Sequence, residues 1–371
     1  MGRRATDFRH LAELARLFLT LGFSGFGGPL VHLAMMEEQV VSRRRWLPKD
    51  RFLEGWAICQ MLPGPASTQL GIYIGYLRAG FFGAIVTAAC FILPGFLIIL
   101  TYSILYTHYG TLPAAQGIFY GVKPAVIAII AFSVYRLGAS TLVDRYLWGL
   151  GIAAFLLTAV WRMDIVLLLL LAGGIGILVY AAPFRGLRLF ALPPLAVYGP
   201  LSFIFLKAGA FVYGGGYVII PFVQQEVVER LQWMRSEVFL DGISLGQITP
   251  GPIVNVSAFV GYEVAGVSGA VLAAFSVFLP AFLFIIGAAA GMDWVRQSPQ
   301  VQAFLRGING AVVGAILGAT VPLARGAIVD LFSALVAIAV LALQWRYRVA
   351  TPWIVVAAGA VGLVVTTWAG R

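Results

Sequence analysis

The pattern Gln-x-x-Pro-Gly-Pro occurs twice in strongly apolar surroundings, as Gln60-Met-Leu-Pro-Gly-Pro65 and again, 187 residues later, as Gln247-Ile-Thr-Pro-Gly-Pro252. Proline removes a backbone donor and stops a helix, and glycine adds conformational freedom. Inside an apolar segment the triplet therefore breaks a helix at membrane depth. A new half-helix can start just after it, with its unpaired N–H groups and positive dipole end aimed at whatever lies there. Irregular backbone survives in a bilayer only where protein buries it or it lines a cavity. Two such breaks in corresponding positions of two halves point to a transporter's binding site.

The setting is a membrane protein. Of 371 residues, 61% are hydrophobic and 11% charged, against roughly 25% charged in a soluble domain. The long uncharged runs accommodate roughly 10 to 13 membrane segments, some short or re-entrant, at about 20 residues per span. The net charge of +10 reads as basic residues retained on the cytoplasmic side rather than as a nucleic-acid surface. Cys59 and Cys90 lie in apolar stretches with no CxxC and no Cys/His cluster, so neither a disulfide nor a metal site is expected. Arg3-Arg4 resembles a twin-arginine start, but Arg9, Glu13 and Arg16 interrupt any signal-peptide core.

The second half repeats the first. At a spacing of 187, Gly27-Gly28 matches Gly214-Gly215, Trp46 matches Trp233, and Gln60 matches Gln247. One residue is lost after the Pro-Gly-Pro; at 186, Gly75-Tyr76 matches Gly261-Tyr262, Gly80 matches Gly266, and Pro94 matches Pro280. The expected fold is an all-α polytopic membrane protein of two homologous halves: residues 1–182, a Pro-rich linker 183–200, and residues 201–371. Ala66–Leu77 reads as a half-helix, about 18 Å long, that ends at Arg78. Tyr146–Val160 and Asp164–Ala182 read as a closing hairpin. The loop at 43–51 carries five basic residues, whereas its counterpart at 229–241 mixes Arg230 and Arg235 with Glu229, Glu237 and Asp241. Equivalent loops of unequal basic content should face opposite sides. The halves are therefore expected to be inverted, with the 43–51 loop cytoplasmic and the breaks meeting near the midplane.

Phe26-Gly-Gly-Pro29 with His32, Trp46-Leu47, Gln60-x-x-Pro-Gly-Pro65 with Gln69, and Ile74-Gly-Tyr76 together resemble the chromate transporter family in its two-domain long form. So do Gly214-Gly-Gly216 and Gln247-Ile-Thr-Pro-Gly-Pro252, and the resemblance covers essentially the whole chain. It implies a multi-pass inner-membrane protein that exports chromate and confers resistance to it, without settling chromate against sulfate.

Chromate and sulfate are tetrahedral dianions, and helix N-termini suit them. Four broken ends are expected to converge on the anion: Gly27, Gly28 and Pro29; Pro63, Gly64 and Pro65; Gly214, Gly215 and Gly216; Pro250, Gly251 and Pro252. The competing role of the Gly-Gly pairs is close helix packing. Ser67, Thr68, Gln69, Asn255 and Ser257 follow the breaks, and Gln60, Gln247 and Thr249 precede them. They either contact the anion or satisfy backbone freed by the prolines. Lys207 lies near the first Gly-rich break of its half, so it either faces the cavity or snorkels to the interface, as does Lys123. His32 either donates to the anion, titrates, or is a satisfied helix histidine. Glu37, Glu38, Glu226 and Glu263 read as interfacial, although buried they would be able to carry coupling protons. Arg136, Arg145 and Arg162 read as loop anchors.

Function classes then narrow. No Gly-x4-Gly-Lys-Ser/Thr occurs, so ATP hydrolysis by that route is excluded. There is no flavin, nicotinamide or metal fingerprint, so neither an enzyme nor a cofactor is expected. A scaffold would not need duplicated broken helices. A secondary transporter fits best, with an oxyanion channel as the alternative, and a homodimer is compatible with either.

Overall fold

The computed structural model describes residues 8–26, 29–180, 198–212, 216–347 and 349–368; for residues 30, 198 and 290–297 it describes the backbone alone. The expected linker falls largely outside this set, and its last residues, 198–200, already belong to a helix. The described residues contain helices and no strands.

Fourteen α-helices can be labelled in order among the described residues. The first half holds α1 (Phe8–Ser24), α2 (Pro29–Glu37), α3 (Lys49–Met61), α4 (Ala66–Tyr109), α5 (Pro113–Thr141), α6 (Arg145–Ala159) and α7 (Ile165–Tyr180). The second holds α8 (Tyr198–Ala210), α9 (Ile219–Val223), α10 (Ser236–Ile248), α11 (Val256–Gln297), α12 (Pro299–Ala327), α13 (Leu331–Tyr347) and α14 (Thr351–Trp368). Five stretches among the described residues are long and apolar enough to cross a membrane, within α4, α5, α11, α12 and α14. Shorter apolar helices and broken pairs supply the rest.

The duplication extends to irregular features. α3 and α10 occupy equivalent residues, as do α5 and α12. α2 runs on as a π-helix, Glu38–Arg43, and α9 as its counterpart, Gln224–Arg230. Backbone with positive φ recurs in register at Arg45 and Gln232, at Gly64 and Gly251, and at Gly80 and Gly266. Ala66–Arg78 is the expected half-helix. It reverses at Ala79 and Gly80, where Gly80 takes φ 63° and ψ −152°, a backbone state reserved for glycine. The chain then returns as a long leg, 81–109, packed so closely that a Cβ on Gly75 would collide with the Gly83 carbonyl. Gly261 and Gly269 repeat this contact in α11.

The two ends of the long α4 leg meet different halves of the duplication. Its start adjoins the first hairpin turn. Near its far end, about 40 Å away at 1.5 Å per residue, Thr107 Oγ1 donates to Glu263 Oε1 at 3.0 Å, three residues before the second turn at Gly266. Phe282, far along the returning leg of α11, packs edge-on against Phe81 beside the first turn.

α6 and α7 depart from the expected hairpin. They pack mainly on α12 of the other half rather than on each other. A Cβ on Gly314 would collide with Gly151 of α6, and one on Gly307 with Ala172 of α7. α13 and α14 hold α5 in the same way, through Gly121 against Ala358 and Gly362. Helices in lipid gain little from burying apolar surface, so they associate through close packing, which small residues permit. The result is two bundles, each built from both halves: α5–α7 with α12–α14, and α1–α4 with α8 and α11, while α9 and α10 pack on both.

Candidate functional site

A cavity of about 470 Å³ lies between the two bundles. One wall is α5, with Phe132, Ser133, Arg136 and Ser140, joined by Gln344 of α13 and Thr351 of α14. The facing wall is built from the breaks. Pro29, His32, Gln60, Pro65 and Ser67 line it from the first half, and Gln247, Thr249, Gly251 and Pro252 from the second. Nine expected site residues thus meet in one space.

The breaks are held by a reciprocal pair of backbone bonds. Gly64 N–H donates to the Val212 carbonyl at 2.6 Å, and Gly251 N–H donates to the Gly25 carbonyl at 2.9 Å. Residues 64 and 251 are equivalents, and so are 25 and 212. Each Pro-Gly-Pro is therefore tied to the Gly-rich break of the opposite half. These two amides are occupied, which corrects the expectation that every N–H at the breaks points at the anion. A helix leaves its first amides without an intrahelical partner, and α4 begins beside Pro65 and Ser67 on the cavity wall.

Other residues are buried next to the breaks without lining the cavity. Gln69 Nε2 donates to the Pro63 carbonyl at 2.7 Å, so this amide satisfies backbone freed by the proline. Its shorter equivalent, Asn255, is 1% exposed, and neither its amide nitrogen nor its oxygen has a partner. The amide nitrogen crowds Gly95 on α4. Thr68 and Ser257 are buried with unpartnered hydroxyls. Pro63, Gly64, Pro250 and Gly216 shape the turns, Gly216 at φ 95°. Gly27, Gly28, Gly214 and Gly215 lie outside the described residues.

Lys207 is not at this cavity. Its Nζ lies 3.0 Å from Glu226 Oε1 and 3.4 Å from Asp164 Oδ2, and it sits over the Phe222 ring. Glu226, expected at the interface, is buried and also holds Arg230 at 2.9 Å. Glu37 and Glu38 are paired with Lys49 and Arg43.

Four groups give the cavity its chemistry. His32 is 2% exposed, and its Nε2 lies 2.8 Å from the Gly25 carbonyl while Nδ1 has no partner. The bond to a carbonyl requires a proton on Nε2, so neutral Nδ1 would accept and protonated Nδ1 would donate. Gln247 Nε2 is buried in the wall without an acceptor. Tyr217 sits against Ser133 and Gln247 with Arg136 nearby. Arg136 itself lies on α5 rather than in a loop and has no carboxylate within 4 Å among the described residues. Its signal in the sequence was the polar stripe Ser133, Arg136, Ser140, one face of an otherwise apolar helix. No group of His, Cys, Asp or Glu among the described residues could hold a metal ion.

The family profile described as Chromate transporter matches residues 12–177 and again 200–363. A chromate transport protein of Cupriavidus metallidurans is 37% identical over 95% of this chain and 93% of its own length. A probable chromate transport protein of Synechococcus elongatus is 36% identical over 95% of both chains, and a chromate transport protein of Pseudomonas aeruginosa 33% identical over 95% of this chain. No solved structure matches. The doubled family match, relatives aligned over nearly their whole length, and apolar helices broken at the same place in each half make this chain a multi-pass membrane transporter of the chromate transporter family.

Proposed function

We propose that the chain exports chromate, or a related tetrahedral oxyanion such as sulfate, across the inner membrane by alternating access at the central cavity. The observation that carries this reading is Arg136: a guanidinium without a carboxylate partner among the described residues, facing the broken helices of both halves across one cavity. Its charge, the unpartnered Gln247 amide and the first-turn amides of α4 supply the donors that a dianion needs. Largely neutral walls and a single guanidinium keep the site weak enough to release its cargo.

Inverted halves are part of the proposal. Support comes from the unequal basic loops and from the α4 leg, whose two ends reach the two equivalent hairpin turns. Export of a dianion from a cell negative inside is downhill by about 2.3 kcal/mol per charge per 100 mV, so potential alone can drive it.

The test is chromate uptake into proteoliposomes under an imposed potential, with sulfate as competitor. Saturable, potential-driven movement with counter-flow is expected. Movement without saturation or counter-flow would make the same site a channel, and no movement of either anion would overturn the reading.

A further inference from the structure

We propose that Lys123, Asp241 and Glu263 form a proton-binding site, distinct from the central cavity, whose occupancy is linked to transport through α5 and α10. The inference rests on the transport reading above and adds a coupling ion to it.

Lys123 Nζ lies 3.2 Å from Asp241 Oδ1, and the Tyr106 hydroxyl donates to Asp241 Oδ2 at 2.8 Å. The two charged side chains are 21% and 7% exposed. Lys123 is ten residues into the apolar α5, about 15 Å along its axis. Ionisable groups at such depth are expensive, and an apolar pair would serve packing at least as well. A second cavity, of about 510 Å³, opens on the pair and gives it water. Glu263 stands on the same wall, held by Thr107.

The charges around Asp241 are few. α5 brings Lys123, α4 brings Tyr106, and α11 brings Glu263. Glu237 and Arg235 come from α10 and the residue before it. The end of α12 brings Gly326 and Ala327, and Asp330 beyond it is engaged by Tyr120. α14 carries no charged residue, and the charges of the π-helix after α9 are engaged elsewhere, Glu226 by Lys207 and Arg230, and Glu229 by Arg162.

Two observations separate this cluster from structural support. First, it is absent from the other half. The equivalents of Lys123, Asp241 and Glu263 are Asn309, Glu54 and Leu77, and Glu54 is a 42% exposed surface partner of Arg51. The repeat folds without it. Second, the pair bridges two helices that both line the central cavity. Arg136 is further along α5 from Lys123, and Gln247 is six residues along α10 from Asp241, about 9 Å. A proton taken from cavity water by the Asp241 carboxylate removes its attraction for Lys123. α5 and α10 then lose the tie that sets their spacing at the central site. The proton returns to water when the pair re-forms.

The experiment uses the full chain in proteoliposomes, with potential clamped by potassium and valinomycin and internal pH followed by a trapped dye. Chromate gains a proton near neutral pH, so each variant is compared with the parent at the same pH, and sulfate, a dianion throughout, is run in parallel. The expected result is proton movement that appears only when anion moves. It is lost in Asp241→Asn, whose anion flux under potential persists with a flattened pH profile. Because Asp241→Asn strands Lys123, the neutral double variant Lys123→Met/Asp241→Leu is the folded control and should lose the proton signal equally. A parent that moves anion with no proton signal, or a neutral double variant that retains it, would overturn the inference. A parent that moves no anion would overturn the transport reading and this inference together.

Discussion

Gly64 and Val212 are joined by a 2.6 Å bond from amide to carbonyl, and the duplication repeats it between Gly251 and Gly25. Each half thus secures the break of the other, and the paired bonds fix the position of both Pro-Gly-Pro turns on the cavity wall.

That geometry predicts unequal effects of alanine at the two glycines. Gly64 takes φ 130°, and a Cβ there would lie 2.5 Å from Gln69 Nε2 and 2.7 Å from Ala281. Gly251 takes φ 94°, with its nearest neighbour at 3.6 Å. Gly251→Ala should cost backbone strain alone, about 1–2 kcal/mol. Gly64→Ala should cost more, because overpacking adds about 1–3 kcal/mol. Thermal unfolding in detergent measures both, and equal losses would contradict the geometry.

Two amides should behave in opposite ways. Gln69 holds the Pro63 carbonyl, so Gln69→Leu should lower stability by about 1–3 kcal/mol by orphaning a buried acceptor. Gln247 Nε2 has no hydrogen-bond partner among the described residues, so Gln247→Leu should leave thermal stability unchanged or raised. It should instead raise the KM for chromate. A loss of stability in Gln247→Leu with unchanged KM would make it a structural residue.

Arg136 should act on substrate rather than on the fold. Arg136→Gln is expected to raise KM about tenfold, equivalent to about 1.4 kcal/mol, with little change in melting temperature. Arg136→Lys should recover part of this, since it keeps the charge and loses the planar fork. Recovery should fade as salt screens the remaining point charge. Flux measured against chromate concentration at two ionic strengths checks each statement.

The crossed packing of α12 supplies a stability test. Gly314→Leu would force α12 away from α6 at Gly151. It should lower the melting temperature markedly, whereas Gly326→Leu on the same helix, where a Cβ meets nothing, should not.

Much of this was legible because proline and glycine act locally. The Pro-Gly-Pro turns, the half-helix ending at Arg78 and the repeat itself follow from backbone chemistry that neighbours cannot override. The partners were not legible. Lys207 aligns near a break, yet its position is set by Glu226, 19 residues away, and Asp164, 43 residues away. The α6–α7 pair has the short loop of a hairpin, but its glycine-rich faces suit α12 better than each other. Gly151 and Gly314 carry no mark in sequence that they touch. Arg136 was assigned by its charge to a loop, although its serine neighbours at helical spacing argued otherwise.

The exchange of α6, α7, α13 and α14 between halves means that the unit that was duplicated is not the unit that can act as a lever. Neither half is free to swing as a block, because its last two helices are clasped to the fifth helix of the other. On the alternating-access proposal, one mixed bundle moves against its companion, and the central cavity lies at the seam between them. The same exchange sets a schedule for biosynthesis. When the ribosome finishes the first half, α5 still lacks its flanks, because α13 and α14 are made only after α12.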